Sequence, residues 1–279
     1  MIVGDGPAGC ATAIALRAAG VEHVLLIGGP SATAPRVGEN LPPSARGLLL
    51  RLGVSDRLLH EGHEPCHGSA SAWGRESLSY NDHLRQPLGH GWHVDRDRLD
   101  TALLIEAMSR GVRWLSGTRV ETIDREGLGF RVAGLDERVG LLVDATGAGA
   151  RVASMLGAVR RTEDQLLFFY AQIEASEPGQ RSMTLLEAEE GGWWYAACQP
   201  SGAVTAACAV DPDDVRTADL ADPEVWGRRL ARTRHASTLF TGAAREVFVR
   251  RATSSCLARV AGDGWLAVGD AASTWDPLA

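Results

Sequence analysis

Met1-Ile2-Val3-Gly4-Asp5-Gly6-Pro7-Ala8-Gly9 sets three apolar residues against a glycine-rich turn, and the Ala-rich stretch from Ala8 to about Ala19 that follows has helical composition. The spacing is G-x-G-x-x-G in the order strand, turn, helix. Gly4 permits the tight turn, Gly6 lets backbone approach a pyrophosphate, and Gly9 lets the helix lie close on the strand. The helix N-terminus then faces the phosphates, which makes Gly4, Gly6, Pro7, Ala8 and Gly9 the candidate cofactor contacts. Gly20 ends the helix, and Val24-Leu25-Leu26-Ile27 reads as a second buried parallel strand, closing a β-α-β unit of the expected ~30 residues. A lone G-x-G-x-x-G is more often only a turn; this context reverses that reading. In one respect the unit departs from the pattern. Where an acidic side chain ordinarily follows the second strand and grips an adenosine ribose, this chain has Gly28, then Gly29 and Pro30, so that contact is expected to differ or to be weak.

The rest of the composition narrows the class. The chain has 279 residues, 45% hydrophobic and 23% charged, enough for one large domain or two interleaved ones and too apolar for long disordered segments. Net charge is −7, which disfavours a nucleic-acid partner; all 28 basic residues are Arg, and Lys is absent. The cysteines Cys10, Cys66, Cys198, Cys208 and Cys256 form no C-x-x-C pair, so neither a disulfide framework nor a zinc site is expected. No apolar run approaches the ~20 residues of a spanning helix, and no signal peptide opens the chain, so the expectation is a cytoplasmic protein without a membrane partner.

Near the other end, Trp265-Leu266-Ala267-Val268 reads as a further buried strand running into Gly269-Asp270-Ala271-Ala272 and then Asp276-Pro277-Leu278. This ending resembles the second FAD fingerprint of glutathione-reductase-type flavoproteins, especially their aromatic-hydroxylase and tryptophan-halogenase-like branches. The resemblance implies FAD as cofactor, with Asp270 on its ribityl chain and Pro277 close to the flavin ring. It also implies further chain beyond Ala279. With only three residues before Gly4, where a strand typically has about five or six, the chain is expected to be cut short at both ends.

Three internal segments carry the same resemblance. Pro35-Arg36-Val37-Gly38-Glu39-Asn40-Leu41-Pro42-Pro43 is similar to the G-E-x-L-P-P loop that passes beside the flavin, and it leads into a helix through Leu52 capped by Gly53. Glu39 is either a catalytic or flavin-tuning carboxylate or a capping, solvent-exposed one. Gly91-Trp92-His93-Val94-Asp95-Arg96, with Leu99 and Leu103, matches the family's R-x-x-L-x-x-x-L helix start. Arg96 is its candidate FAD contact; the alternative is an exposed Arg in a first helical turn, where the helix dipole does not favour it. Gly140-Leu141-Leu142-Val143-Asp144-Ala145-Thr146-Gly147 resembles the strand returning to the FAD domain, with Gly147 against the cofactor and Asp144 as a turn residue.

Between these lie strand-like runs at 166–173 and 183–186, then Gly191-Gly192-Trp193-Trp194-Tyr195-Ala196-Ala197, which suggest a β-sheet substrate domain. Trp193, Trp194 and Tyr195 wall a substrate pocket or belong to a core. Asp222 and Pro223 are expected to cap and open a helix to about His235. Cys66 reads as a buried structural thiol, and the histidines at 60, 63, 67, 83, 90 and 93 show no H-x-x-x-H helix, leaving metal binding a minority reading. The expected fold is α/β, a Rossmann-type FAD-binding domain (1–60 with 92–160 and 255–279) interleaved with a β-sheet substrate domain (61–91 with 161–254). FAD can pass hydride or react with oxygen, so its motifs do not name the reaction. Halogenases of the resembling group rely on a lysine near the tunnel from flavin to substrate and on a G-W-x-W-x-I-P segment; this chain has no lysine, and Gly192–Cys198 matches the segment poorly. The leading expectation is therefore an FAD-dependent monooxygenase hydroxylating a small-molecule or peptide aromatic substrate, such as a tryptophan side chain, with a separate flavin reductase as a further partner. Hydride-transfer reduction or oxidation is the alternative, and flavin binding without catalysis a third.

Overall fold

Short, fully buried strands such as Leu25–Ile27 and Leu142–Asp144 belong in the middle of a parallel sheet covered on both faces, and that is where they lie. The computed structural model describes residues 1–30, 35–38, 40–54, 62–135, 138–176, 182–213 and 217–278, with the side chains of 217 and 218 excepted. The chain divides into two units, Met1–Thr33 with Asp100–Asp164 and Thr253–Ala279, and Ala34–Leu99 with Gln165–Ala252.

In the first unit a six-stranded sheet runs Ala261–Gly262, Trp265–Ala267, Leu142–Asp144, Ile2–Val3, Leu25–Ile27, Arg113–Leu115. All pairs are parallel except that of the edge strand Ala261–Gly262. Numbered by sequence, the five parallel strands lie in the order 3-2-1-4-5, the doubly wound arrangement with its switch point beside the first strand. Helix α1 (Pro7–Ala18) buries Gly9, Cys10, Ala13 and Ile14. On one face of the sheet Val3, Leu25, Ile27 and Leu142 pack with Phe130, Val132 and Val139 of an antiparallel meander, Ile123–Glu126, Gly129–Val132 and Arg138–Val139. By strand alternation the other face carries Ile2, Leu26 and Val143, each at most 1% exposed.

The second unit is built on a seven-stranded sheet in the order Phe248–Arg251, Leu167–Glu174, Ala203–Val210, Gly192–Cys198, Met183–Glu189, Gly68–Ala72, Ser79–Asp82. It is antiparallel except where Met183–Glu189 runs parallel to Gly68–Ala72. One face packs Phe169, Trp194, Ala206 and Cys208 against Leu220, Trp226 and Leu230. The other holds Phe168, Tyr170 and Trp193 over Ala207 and Ala209. A small sheet of Asn40–Leu41, Gly91–His93 and Glu64–Cys66 completes the unit, and its pairing explains why residues 34–60 and 92–99 group here rather than with the first unit as the sequence-based division had them.

The helix expected from Pro223 to about His235 is shorter: it ends at Leu230. The next amides, those of Arg234, His235 and Ala236, donate to the buried Glu187 carboxylate at 2.6, 2.9 and 2.8 Å, which draws them away from helical acceptors. Its start is as expected, with Asp222 Oδ1 accepting from the amides of Glu224 and Val225.

Candidate functional site

The turns that leave the carboxyl ends of the parallel strands meet on one edge of the first unit. After Ile2–Val3 comes Gly4, held at φ 110° with its amide donating to Ile27 at 2.8 Å. A Cβ at Gly4 would stand 2.1 Å from the Ala145 carbonyl oxygen, and one at Gly9 would stand 1.8 Å from the Gly4 oxygen, so both glycines are demanded by close backbone approach. At Gly6, by contrast, a Cβ would meet nothing within 4 Å. Gly6 is the N-cap of α1, where no side chain caps the first turn, no acidic residue lies in it, and Pro7 takes the first helical positions. The open space beside Gly6 and the uncapped helix start together form a cradle for an anionic group.

The fourth strand leads to Ala145-Thr146-Gly147. Asp144 is fully buried; its carboxylate accepts from the Thr146 amide (2.9 Å) and hydroxyl (2.6 Å) and from the Ala153 amide (2.7 Å), so it builds the turn. Gly147 has φ 70° with open space where a Cβ would be. The turn Gly147–Gly149 lies against Gly269–Ala271, which follows the fifth strand. Gly269 (φ 58°) packs on the first turn of α1: a Cβ there would be 2.6 Å from the Ala8 Cβ. Arg160 ties this turn down by donating to the carbonyls of Asp270 (2.9 Å) and Ala271 (2.7 Å), and the Asp270 side chain is exposed. Pro277 is also exposed, next to Asp276, whose amide donates to Ser254. The fold thus brings Gly4, Gly6, Pro7, Ala8, Gly9, Gly147, Gly269 and Asp270 into one neighbourhood from both ends of the chain.

Asp5 went unremarked in the sequence. Its carboxylate accepts from the Trp114 indole at 3.1 Å, and its carbonyl accepts from the Cys10 thiol at 3.2 Å. Burial, with the nearby Asp5 and Asp100 charges, pushes the Cys10 thiol up to about 12, so it stays protonated. The sign of Asp5's importance was an acidic residue inside the glycine turn of a chain that lacks one after the second strand.

Arg96, in the second unit, opens the helix Arg96–Ser109 beside the N-cap Asp95, whose side chain accepts from the Arg98 amide. The Arg96 guanidinium donates to the Val37 carbonyl and occupies the space a Cβ at Gly38 would need. It is therefore turned onto the loop rather than out to solvent. Glu39 lies outside the described residues, as does His60. Trp193, Trp194 and Tyr195 do not form a single wall, because neighbours on a strand point to opposite faces. Trp194 is fully buried on the helix-covered face, edge-on to Trp226 and bonded to Glu189 at 2.9 Å, which makes it core. Trp193 and Tyr195 lie on the other face, where Trp193 meets Phe168 (5.3 Å) and the half-exposed Trp73 (6.3 Å).

Cys66 is buried, its thiol donating to the Gly68 carbonyl and pushed up in pKa by burial. His63 and His83 bond to backbone groups and His93 to the Thr184 hydroxyl. Among the described residues no group of three His, Cys, Asp or Glu side chains is placed to hold a metal ion. None of their helices is long and apolar enough to cross a membrane.

A 3-2-1-4-5 parallel sheet with a glycine-lined cradle at its carboxyl edge defines the dinucleotide-binding class of doubly wound folds. The chain belongs to the FAD binding domain family, which matches residues 1–279. Over its full length it is 27% identical to LodB of Marinomonas mediterranea, named as an FAD-dependent oxidoreductase, and spans 78% of that protein. Among solved structures it is similar to the myxobacterial chondrochloren halogenase CndH (TM-score 0.87, 24% identity, 99% of this chain and 69% of that one). It is also similar to the peptidyl tryptophan dihydroxylase QhpG (TM-score 0.77, 26% identity, 99% and 61%). The solved relatives are longer, this chain spanning 54% of one and 74% of another. The cofactor is FAD.

Proposed function

We infer that this FAD-binding protein is an oxidoreductase, a monooxygenase of the glutathione-reductase-type flavoprotein group that hydroxylates an aromatic substrate, with a tryptophan side chain of a peptide as the leading candidate. Bound FAD supplies the redox chemistry, accepting electrons and passing them to oxygen. Gly6 and the α1 start receive the pyrophosphate, Gly147 and Gly269 let backbone approach the cofactor, and Asp270 takes hydroxyls of the ribityl chain. Arg96 acts by holding the backbone at Val37 and Gly38, and Pro277 borders the flavin. The aromatic face of the second sheet, where buried Phe168 and Trp193 and half-buried Tyr195 lie beside the half-exposed Trp73, is the side we assign to an aromatic substrate.

The observation that carries hydroxylation over halogenation is the absence of lysine from a chain that otherwise follows the halogenase-like pattern. The likeness to QhpG, a peptidyl tryptophan dihydroxylase, supports the same choice, while the likeness to CndH keeps halogenation as the competing reading. The protein, reduced by a separate flavin reductase and given candidate aromatic peptides with chloride or bromide present, should consume oxygen only with substrate and yield a product heavier by oxygen. A halogenated product would establish halogenation instead. A two-hydrogen mass change without oxygen uptake would mean hydride transfer.

A further inference from the structure

We propose that Asp5 supplies the carboxylate that holds the adenosine ribose of FAD, in place of the acidic residue that ordinarily ends the second strand. The inference rests on the cofactor alone and holds whichever reaction the flavin performs.

The second strand delivers Gly28 to the position from which that acidic side chain would project. Its backbone is fixed on both sides, the Gly28 amide donating to Leu115 at 2.8 Å and its carbonyl accepting from the Thr118 amide at 2.9 Å. A Cβ built there would stand 2.1 Å from Asp5 Oδ2, 2.7 Å from Asp5 Cγ and 2.9 Å from the Trp114 indole nitrogen. The Asp5 carboxylate thus fills the root of the missing side chain. The two acidic residues are alternatives in one space: Gly28 has no side chain because the carboxylate already arrives from the glycine turn. The Trp114 N–H, donating to Oδ2 at 3.1 Å, orients it. A carboxylate only accepts, and Oδ1 together with the second lone pair of Oδ2 can take the ribose hydroxyls. Asp5 lies between Gly4 and Gly6, so one short segment would serve both the pyrophosphate and the adjoining ribose. Its negative charge would also disfavour an adenosine 2′-phosphate.

The plainer reading is that Asp5 exists only to satisfy the Trp114 indole, and Asp5→Asn separates the two. Asn keeps a carbonyl acceptor for that N–H but loses the charge and an acceptor facing the ribose. Apo-protein is titrated with FAD, and with an FAD analogue lacking the adenosine 2′-hydroxyl, by flavin fluorescence. Wild type should bind the analogue about ten- to a hundredfold more weakly than FAD, the loss expected for a hydrogen bond to a charged acceptor. Asp5→Asn should bind FAD weakened by a similar factor and should no longer tell the two flavins apart. The double variant Asp5→Gly/Gly28→Glu returns the carboxylate to the second strand and should bind FAD at least tenfold more tightly than Asp5→Gly. Unchanged FAD affinity in Asp5→Asn would overturn the proposal. So would an equal loss for both flavins with wild-type discrimination retained, since that marks a purely structural role.

Discussion

Gly6 and Gly9 stand three residues apart in one turn, yet an added methyl group should have opposite consequences at the two positions. At Gly9 the new Cβ would be 1.8 Å from the Gly4 oxygen, 2.9 Å from the Gly4 carbonyl carbon and 3.3 Å from the Ala145 Cβ. The obstructing oxygen belongs to backbone already held by the bond from the Gly4 amide to Ile27, so helix α1 must back away from the sheet by more than ~1 Å to restore van der Waals contact. Overpacking of this kind costs about 1–3 kcal/mol, and rigid backbone places Gly9→Ala near the upper end. At roughly 2–4 °C per kcal/mol, the melting temperature without cofactor should fall by about 5–10 °C. Gly6 has φ −72° and ψ −177°, open to any residue, and its Cβ would touch nothing. Reduced entropy of the unfolded chain offsets a slightly poorer N-cap, leaving Gly6→Ala within about 0.5 kcal/mol of wild type. Its methyl group, however, would occupy the cradle of the pyrophosphate, and FAD affinity should drop at least ~10-fold. Thermal melts without cofactor, paired with FAD titrations, test both halves. A Gly9→Ala variant that melts with wild type would refute the packing argument. A Gly6→Ala variant that binds FAD normally would refute the placement of the cofactor.

Four other expectations concern the second unit and the thiols. Asp222→Ala removes the acceptor for two helix amides and should cost about 1 kcal/mol, read as a lower denaturant midpoint at unchanged slope. Glu187→Ala strands the three amides of Arg234, His235 and Ala236 beneath the sheet and should cost at least ~3 kcal/mol in the same assay, with Glu187→Gln intermediate. The folded state holds the Cys10 proton up to about 12, whereas an ordinary thiol releases it near 9.0, so the unfolded chain ionises first. Stability should therefore fall as pH rises from about 9 toward about 12, and Cys10→Ala should flatten that slope. In the native protein at neutral pH, Cys10, Cys66, Cys198 and Cys208 should resist thiol reagents and become reactive only with denaturant, because all four are buried.

The cofactor half of the molecule was largely legible because its signals are local. Gly4, Gly6 and Gly9 carry steric requirements that any reader of one short segment can state, and Gly20 and Gly53 end their helices at positive φ as their spacing implied. Asp222-Pro223 likewise announces a helix start through groups one to three residues away. The strand Ala203–Val210 was not legible: it is buried on both faces and rich in Ala, so no apolar-polar alternation marks it. The meander strands Ile123–Glu126, Gly129–Val132 and Arg138–Val139 and the third parallel strand, Arg113–Leu115, were missed for the related reason that each is too short to show a period.

The sequence by itself determined the class of cofactor and the unit that cradles it, since a glycine turn between strand and helix acts through its own backbone. Only the tertiary structure decided which side chains share a surface. It separated Trp194 from Trp193 and Tyr195 by the pleat of one strand, bent the chain after Leu230 around a carboxylate 47 residues away in sequence, and brought Asp5 into the space at Gly28. Those relations depend on strand order and register, which follow from burial summed over the whole unit and leave no mark in any single segment.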